Sequence, residues 1–235
     1  MYIIVAYLLH EAFCIFSQLK PKFAILDVIS LFSIFPKQIK NKSLTCYIYY
    51  DIIILKITEK GLKDMANFYL VCGISGGGKT MLSKRIIEKN KKIKIYDVDE
   101  YYAKINGDEC IHEKTFDVWI SLFQDLHKSE LMNEDVLLTT NALTVSQRNQ
   151  FVEWFPTFKH HMLWVTAPKE KCIEGNQSRR RQVPLEKLLK GWENMEFPNA
   201  NERGWDSIAQ ITNCWDNENY IVFNLKGNIE NLISI

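Results

Sequence analysis

Cysteine, glycine and proline are all sparse in this chain of 235 residues, which contains six, ten and six of them respectively. The cysteines are scattered singly, with no C-x-x-C pair and no companion histidine at zinc-finger spacing. The sequence therefore indicates neither a disulfide framework nor a structural metal site. We expect free, mostly buried thiols in a protein of the reducing cytoplasm.

An excess of charge of one sign is also missing, since 29 basic residues face 28 acidic ones. From Met65 onward the balance is slightly acidic, with 21 basic and 23 acidic residues. Proteins that bind long nucleic acids mainly by neutralising phosphates usually have a basic surface. Bulk charge gives no support for that class, and such binding would have to depend on local groups.

Residues 1–64 differ in composition from the remainder, with no Trp, no Arg and one Gly but twelve Ile. Their first apolar run is interrupted by His10 and Glu11, and it lacks the basic start and cleavage site of a signal peptide. Two interpretations remain: an apolar appendage, or a stretch outside the functional protein. We favour the second, with a working domain over residues 65–235 and no stable membrane partner.

The segment GISGGGKT matches the phosphate-loop (P-loop, or Walker A) pattern G-x-x-x-x-G-K-[ST]. An apolar strand at Phe68–Cys72 precedes it and a helix at Thr80–Asn90 follows it. Glycines let backbone N–H groups surround phosphate oxygens at a helix N-terminus. Lys79 can reach the β- and γ-phosphates, and the Thr80 hydroxyl can hold Mg²⁺. The predicted nucleotide-binding residues are Gly73, Ile74, Ser75, Gly76, Gly77, Gly78, Lys79, Thr80 and Met81.

Other motifs narrow the class of P-loop protein. The D-x-x-G and N-K-x-D motifs of GTPases do not follow the loop, and the remaining length leaves little room for the lid domain of a ring-forming ATPase. A small phosphotransferase fits better.

Short apolar segments alternate with helical ones, which predicts an α/β fold: a P-loop three-layer sandwich with a mainly parallel sheet and a helical lid. The further predicted strands are Lys92–Asp97, Asp135–Thr140, His161–Thr166 and Tyr220–Leu225. The predicted helices between them are Ile111–Leu131 and Ser146–Phe155. We expect the Trp and Phe residues of these elements to lie in the core rather than to stack on a ligand.

Two charged groups are candidates for the chemistry. Asp99 follows a predicted strand at the sheet edge where ligands bind, so it is either a catalytic or Mg²⁺-binding carboxylate or part of an acidic loop or helix cap. Arg179, Arg180 and Arg181 lie in a helical hairpin at about residues 168–197. This hairpin is either a lid that closes over the nucleotide or an exposed basic surface, and we favour the lid.

Several motifs in the same order resemble those of small P-loop kinases grouped with phage polynucleotide 5′-kinase and, more distantly, the zeta toxins. Besides GISGGGKT, these are Asp99-Glu-Tyr, Asn176-Gln-Ser-Arg179 ahead of Val183-Pro184, and Glu196-Phe-Pro198 with Glu202-Arg-Gly-Trp-Asp206. The resemblance covers Met65 to about Ile211. It implies ATP as donor with Mg²⁺, Asp99 as general base, and Arg179 as a lid residue that contacts the donor phosphates. We add Arg181, from the same cluster, as a second candidate for closing the lid on the nucleotide.

The departures from the family pattern fall mainly where the acceptor would bind. Tyr102 replaces an arginine that grips acceptor phosphate, Thr139 replaces an acidic residue ahead of a retained Arg148, and Gly175 replaces an arginine before the lid asparagine. We expect transfer of the γ-phosphoryl of ATP to a hydroxyl, in the first place a nucleic-acid 5′-OH. A small-molecule or nucleotide-sugar kinase and a non-catalytic ATP-binding module remain alternatives, and the oligomeric state is open.

Overall fold

The computed structural model describes residues 65–214 and 220–230. The expectations for residues 1–64, including Cys14 and Cys46, lie outside these ranges. Within them, six strands and six helices form a mixed α/β fold. The strands are β1 (Asn67–Gly73), β2 (Lys94–Asp97), β3 (Val136–Thr139), β4 (Lys159–Thr166), β5 (Ser207–Asn213) and β6 (Tyr220–Lys226). The helices are α1 (Lys79–Lys89), α2 (Val98–Asn106), α3 (Thr115–Met132), α4 (Val145–Trp154), α5 (Lys169–Gln177) and α6 (Leu185–Asn194).

The strands form one sheet in the order β2-β3-β1-β4-β5-β6. Strands β1 to β5 are parallel, and only β6 pairs antiparallel with its neighbour. Because β1 lies between β3 and β4, the loop that follows it emerges at the carboxyl edge of the central strand. Open α/β sheets bind their ligands at that edge.

Alternate residues of β1 pack into two separate cores, one on each face of the sheet. Phe68 and Leu70 join one cluster, which includes Leu122 of α3. Tyr69 and Val71 join the other, with Leu82 among its members from α1. Side chains of successive strand residues point to opposite faces, so a strand buried on both faces reads as one continuous apolar run. The expected three-layer arrangement is confirmed.

Two elements were not predicted. Strand β5 has the sequence SIAQITN, whose polar residues obscure the apolar pattern. Two of these polar residues are buried because they have partners: Ser207 Oγ lies 2.8 Å from His161 Nδ1, and the Asn213 amide donates to the carbonyl of Gly77 at 3.4 Å. The second is helix α2. From the sequence, the segment around Asp99 could be either an acidic loop or the start of a helix; the structure shows a helix with Asp97 as its N-cap.

The described cysteines are all free: Cys72 and Cys172 are buried, Cys214 is half-buried and Cys110 is exposed. Within the described ranges, no helix has the length and apolar character needed to cross a membrane.

The tail motif Glu202-Arg-Gly-Trp-Asp206 is tied to α4 by a fully buried ion pair. Arg148 donates from Nε and Nη2 to the two carboxylate oxygens of Glu202, at 3.1 and 2.6 Å. Its Nη1 donates to the backbone carbonyls of Leu143 and Glu196. The guanidinium also lies 5.0 Å from the ring of Trp164. Arg148 therefore joins the tail to the sheet and does not face the cavity described below.

Replacement of Glu202 by Ala is expected to lower the free energy of unfolding by about 3 to 5 kcal/mol, because it leaves a buried guanidinium unpaired. Glu202→Gln should lose less, since the amide oxygen still accepts one hydrogen bond. Arg203→Ala, at the exposed neighbouring position, is the control and should unfold like the parent protein. Urea unfolding followed by tryptophan fluorescence measures the difference. Equal stability of the Glu202→Ala and Arg203→Ala variants would contradict this account.

Candidate active site

The phosphate loop leaves β1 through glycines that no other residue can replace without a clash. Gly73, Gly76 and Gly78 have φ of 136°, 81° and 99°. A Cβ at Gly73 would lie 2.1 Å from the carbonyl oxygen of Val165, and one at Gly76 would lie 2.0 Å from that of Cys172. Side chains at these positions would push the loop away from β4 and α5.

Lys79, the first residue of α1, folds back over the loop. Its Nζ donates to the carbonyl oxygens of Gly73 at 3.0 Å and Ile74 at 2.9 Å. Burial, and after it the positive charge of Arg179, lowers the pKa of Lys79 to about 8. The ammonium group thus lies among oxygen acceptors inside the loop, where donor phosphates would also offer oxygen atoms.

Thr139 ends β3 at the position where the resembled kinases carry an acidic residue. It is buried, and its Oγ1 lies 2.8 Å from Ser83 Oγ on α1. Beyond it, Asn141 accepts from Gly73 N through its backbone and from Ser75 Oγ through its side chain, at 2.9 and 3.3 Å. This strand end holds the loop through neutral hydrogen bonds.

Two carboxylates lie at the start of α2. Asp97 accepts a hydrogen bond from Asp99 N at 2.9 Å, and burial raises the pKa of Asp97 to about 6. Asp99 forms ion pairs with Arg179 Nη2, at 3.4 Å, and with Arg181 Nη1. The predicted base and the two predicted lid arginines are therefore in direct contact.

The arginine loop between α5 and α6 is closed by a side-chain clamp. The Asn176 amide donates to the carbonyl of Val183 at 2.8 Å, and its Oδ1 accepts from Val183 N at 2.9 Å. The loop held in this way directs Arg179 and Arg181 toward Asp99. Arg180 is 77% exposed and pairs with Asp108 instead, at 2.8 Å.

One cavity of about 930 Å³ joins these groups. The predicted site residues that line it are Ser75, Gly76, Gly78, Lys79, Thr80, Met81, Asp99, Arg179 and Arg181. Gly73, Ile74 and Gly77 do not line it, and the Ile74 side chain packs against Ala167 and Cys172. The catalytic, nucleotide-binding and metal-binding roles of the set stay predictions.

The half of the cavity away from the phosphate loop was not predicted from the sequence. Aromatic residues of α2, α3 and α4 and the α2–α3 connection line it: Tyr102, His112, Phe116, Trp119, Phe123, Phe151 and Trp154. The helical spacing of these aromatic residues is the only sequence pattern that could have indicated a binding surface. It could not do so, because an aromatic stripe that packs in the core has the same spacing. The expectation that the Trp and Phe residues of these helices lie in the core is wrong for Phe116, which is 71% exposed, whereas Phe151 is buried.

Gly76→Ala should weaken nucleotide binding at least about tenfold, because the Cβ meets a backbone carbonyl and the loop must shift. The matched control is Gly107→Ala, since Gly107 also has a positive φ, 85°, but has open space around it. That variant should lose about 1 kcal/mol of stability and keep its affinity. Calorimetric titration with a non-hydrolysable ATP analogue tests both. Unchanged affinity in Gly76→Ala would overturn the assignment of the loop.

A comparison of the sequence with protein families finds that the family model described as AAA domain matches residues 69–198, more than half of the chain. None of the curated proteins is similar enough in sequence to count as a match.

Solved structures with similar folds include several kinases. A putative kinase from Chloroflexus aurantiacus has a TM-score of 0.52 at 12% identity, covering 72% of this chain and 93% of its own. A sugar kinase from a Janibacter species has a TM-score of 0.47 at 17% identity, covering 72% and 91%. The PezAT toxin-antitoxin structure from Streptococcus pneumoniae has a TM-score of 0.47 at 13% identity, covering 81% and 84%. The first supports a shared fold.

Proposed function

The chain belongs to the AAA domain family, and we propose that it is an ATP-dependent phosphotransferase that moves the γ-phosphoryl of ATP to a hydroxyl group. One observation carries the proposal. A carboxylate, Asp99, lines the same cavity as the P-loop lysine and two arginines. Phosphoryl transfer needs these three kinds of group: a base, cations that neutralise the moving phosphoryl, and a loop that positions the donor.

The donor side fits a nucleoside triphosphate with Mg²⁺. The close approach of the loop to α5 at Gly76 and to β5 at Gly78 leaves the loop free of side chains at these positions, where phosphates would lie against backbone N–H groups. Thr80 is exposed to the cavity at the start of α1, and its hydroxyl is the predicted protein ligand of Mg²⁺. Mg²⁺ in kinases takes few protein ligands besides phosphate and water, and when bound it neutralises phosphate charge.

In the reaction, the acceptor oxygen forms a bond to the γ-phosphorus as the bond from this phosphorus to the bridging oxygen breaks, and ADP leaves. The acceptor proton passes to the Asp99 carboxylate. In the structure, Arg179 and Arg181 hold that carboxylate in ion pairs. Donor phosphates compete for the same guanidinium groups, so binding of ATP would release Asp99 to act as base.

Asp99→Asn should lower the transfer rate about 10² to 10⁴-fold, because the amide cannot take the acceptor proton. Asp108→Asn is a matched control, since Asp108 also pairs with an arginine of the same loop but lies outside the cavity lining. Transfer of label from γ-labelled ATP measures both, with circular dichroism as the check on folding. If Asp99→Asn folds and transfers label at the parent rate, Asp99 is not the base.

Of the three neighbouring arginines, we expect Arg179 and Arg181 to contribute to catalysis and Arg180 not to. A double Arg179→Ala, Arg181→Ala variant should lose roughly a thousandfold in the turnover rate, because guanidinium groups stabilise charge on the transferring phosphoryl. Arg180→Ala should stay within about twofold, since an exposed ion pair contributes little. Turnover at saturating ATP is the measurement. Equal losses in both variants would indicate that the cluster acts only through its overall charge.

The acceptor has two candidate classes. A nucleic-acid 5′-OH remains the prediction from the resemblance. A small molecule or nucleotide sugar is favoured by Tyr102 at the position of the acceptor-phosphate arginine. The neutral Thr139 keeps a non-catalytic ATP-binding module as the third hypothesis. Labelled ATP offered with 5′-OH oligonucleotides, nucleotide sugars and nucleosides separates them, since tight binding of ATP with no transfer identifies the third.

A further inference from the structure

Two helices present matching stripes to the half of the cavity away from the phosphate loop. On α3 the lining residues are at positions i, i+3, i+4 and i+7: Phe116, Trp119, Ile120 and Phe123. The lining residues of α4 repeat that spacing: Gln147, Gln150, Phe151 and Trp154. Residues at this spacing share one helix face, so each helix directs a whole face at the cavity.

The rings of Trp119, Phe123 and Trp154 contact one another and form an aromatic wall that is only partly covered, and Phe116 lines the same cavity. The centroids of Phe123 and Trp154 are 4.7 Å apart, and those of Trp119 and Phe123 are 5.6 Å apart. Phe116 is 71% exposed and Trp154 is 38% exposed. Single exposed apolar residues are ordinary, but several together in one concave surface mark a binding site. A ligand with a flat apolar surface would remove these rings from water.

A second stacked pair lies beside Asp99. The rings of Tyr102 and His112 have centroids 3.9 Å apart at an angle of 27°, and the Tyr102 hydroxyl donates to Thr115 Oγ1 at 3.2 Å. Partial burial lowers the pKa of His112, and the charge of Arg181 lowers it further. The pair is therefore an uncharged aromatic platform.

Cationic groups are confined to the donor half of the cavity. Of the described residues that line it, the Lys and Arg side chains are Lys79 in the phosphate loop, and Arg179 and Arg181 at Asp99. Arg148 lies on α4 but is fully buried against Glu202. Among the described residues, the aromatic half offers no guanidinium or ammonium group to pair with a phosphate of the acceptor. Its polar groups on α4 are the exposed amides of Gln150 and of Gln147, whose Oε1 accepts from Thr144 N at 3.1 Å.

We propose that the acceptor is a small, uncharged alcohol that carries an aromatic ring, and that the ring stacks on the wall formed by α3 and α4 with its hydroxyl directed to Asp99. This inference rests on the proposed function. The aromatic wall supplies affinity through stacking and burial, in place of the charge pairing that an arginine at position 102 would supply. Gln150 offers a donor and an acceptor for polar substituents of the ring.

Binding is tested first, with the full chain and a non-hydrolysable ATP analogue present. The probes are adenosine, uridine and 2-phenylethanol as ring-bearing alcohols, adenosine 3′-monophosphate as the charged match, and glucose as an alcohol without an aromatic ring. Calorimetry should show that the ring-bearing alcohols bind more tightly than the 3′-monophosphate or glucose. Glucose or the 3′-monophosphate binding more tightly than all three would overturn the proposal.

Variants then locate the site. Phe116→Ala and Trp154→Ala should each weaken binding of the ring-bearing probes about tenfold, the loss expected for one stacking contact. Phe223→Ala removes a comparably exposed ring from β6, outside the cavity, and should change nothing. Affinity for the ATP analogue should be equal in all three variants. Unchanged affinity for the ring-bearing probes in both cavity variants would overturn the assignment of the wall.

Transfer from γ-labelled ATP to the same probes, with a 5′-OH oligonucleotide added, distinguishes failure of this inference from failure of the proposed function. Label on a ring-bearing alcohol supports both. Label only on glucose or the oligonucleotide overturns the inference and leaves the kinase function standing. Ring-dependent binding with no transfer to any probe overturns the kinase function and leaves the aromatic binding site.

Discussion

The close contact of the phosphate loop with three neighbouring elements is the constraint on which the site depends. A Cβ at Gly73, Gly76 or Gly78 would lie 2.0 to 2.3 Å from an atom of β4, α5 or β5. The loop can therefore keep its curvature only while those elements stay in place. The conformation of the loop and the position of α5 are thus linked through backbone contact between Gly76 and Cys172, without any charged side chain between them.

The position of Arg179 and Arg181 depends on this contact between the loop and α5. Helix α5 contacts the loop through the carbonyl of Cys172, and Asn176 near the C-terminal end of the helix binds the backbone of Val183. Arg179 and Arg181 lie in the loop between Asn176 and Val183, and both pair with Asp99 across the cavity. The same asparagine that resembles a family motif is therefore a structural residue, and its effect on phosphate contacts is indirect. Asp99, the proposed base, and the two arginines form one electrostatic unit.

The strand–loop–helix arrangement of the proposed donor side could be predicted from the sequence, because it depends on local geometry. A strand, a glycine-rich turn and a helix N-terminus are contiguous in the chain, and each leaves its own signature. Strand β5 was missed because its buried polar residues are stabilised by long-range partners, such as His161 for Ser207, that no local pattern reveals. The aromatic half was missed for a related reason. Whether the stripe on α3 packs in the core or lines a cavity depends on what α4 places opposite it.

Arg148 shows why a retained motif residue is weak evidence for acceptor binding. It follows the altered strand end in the sequence, yet its guanidinium donates four hydrogen bonds to Glu202 and two backbone carbonyls. This buried arginine cannot pair with a substrate phosphate without leaving a carboxylate unpaired in the core, which costs several kcal/mol. Because Arg148 pairs with the tail and Tyr102 stacks on His112, the proposed acceptor half would recognise its ligand by aromatic surface. Selectivity there follows from the shape of the ring more than from charge.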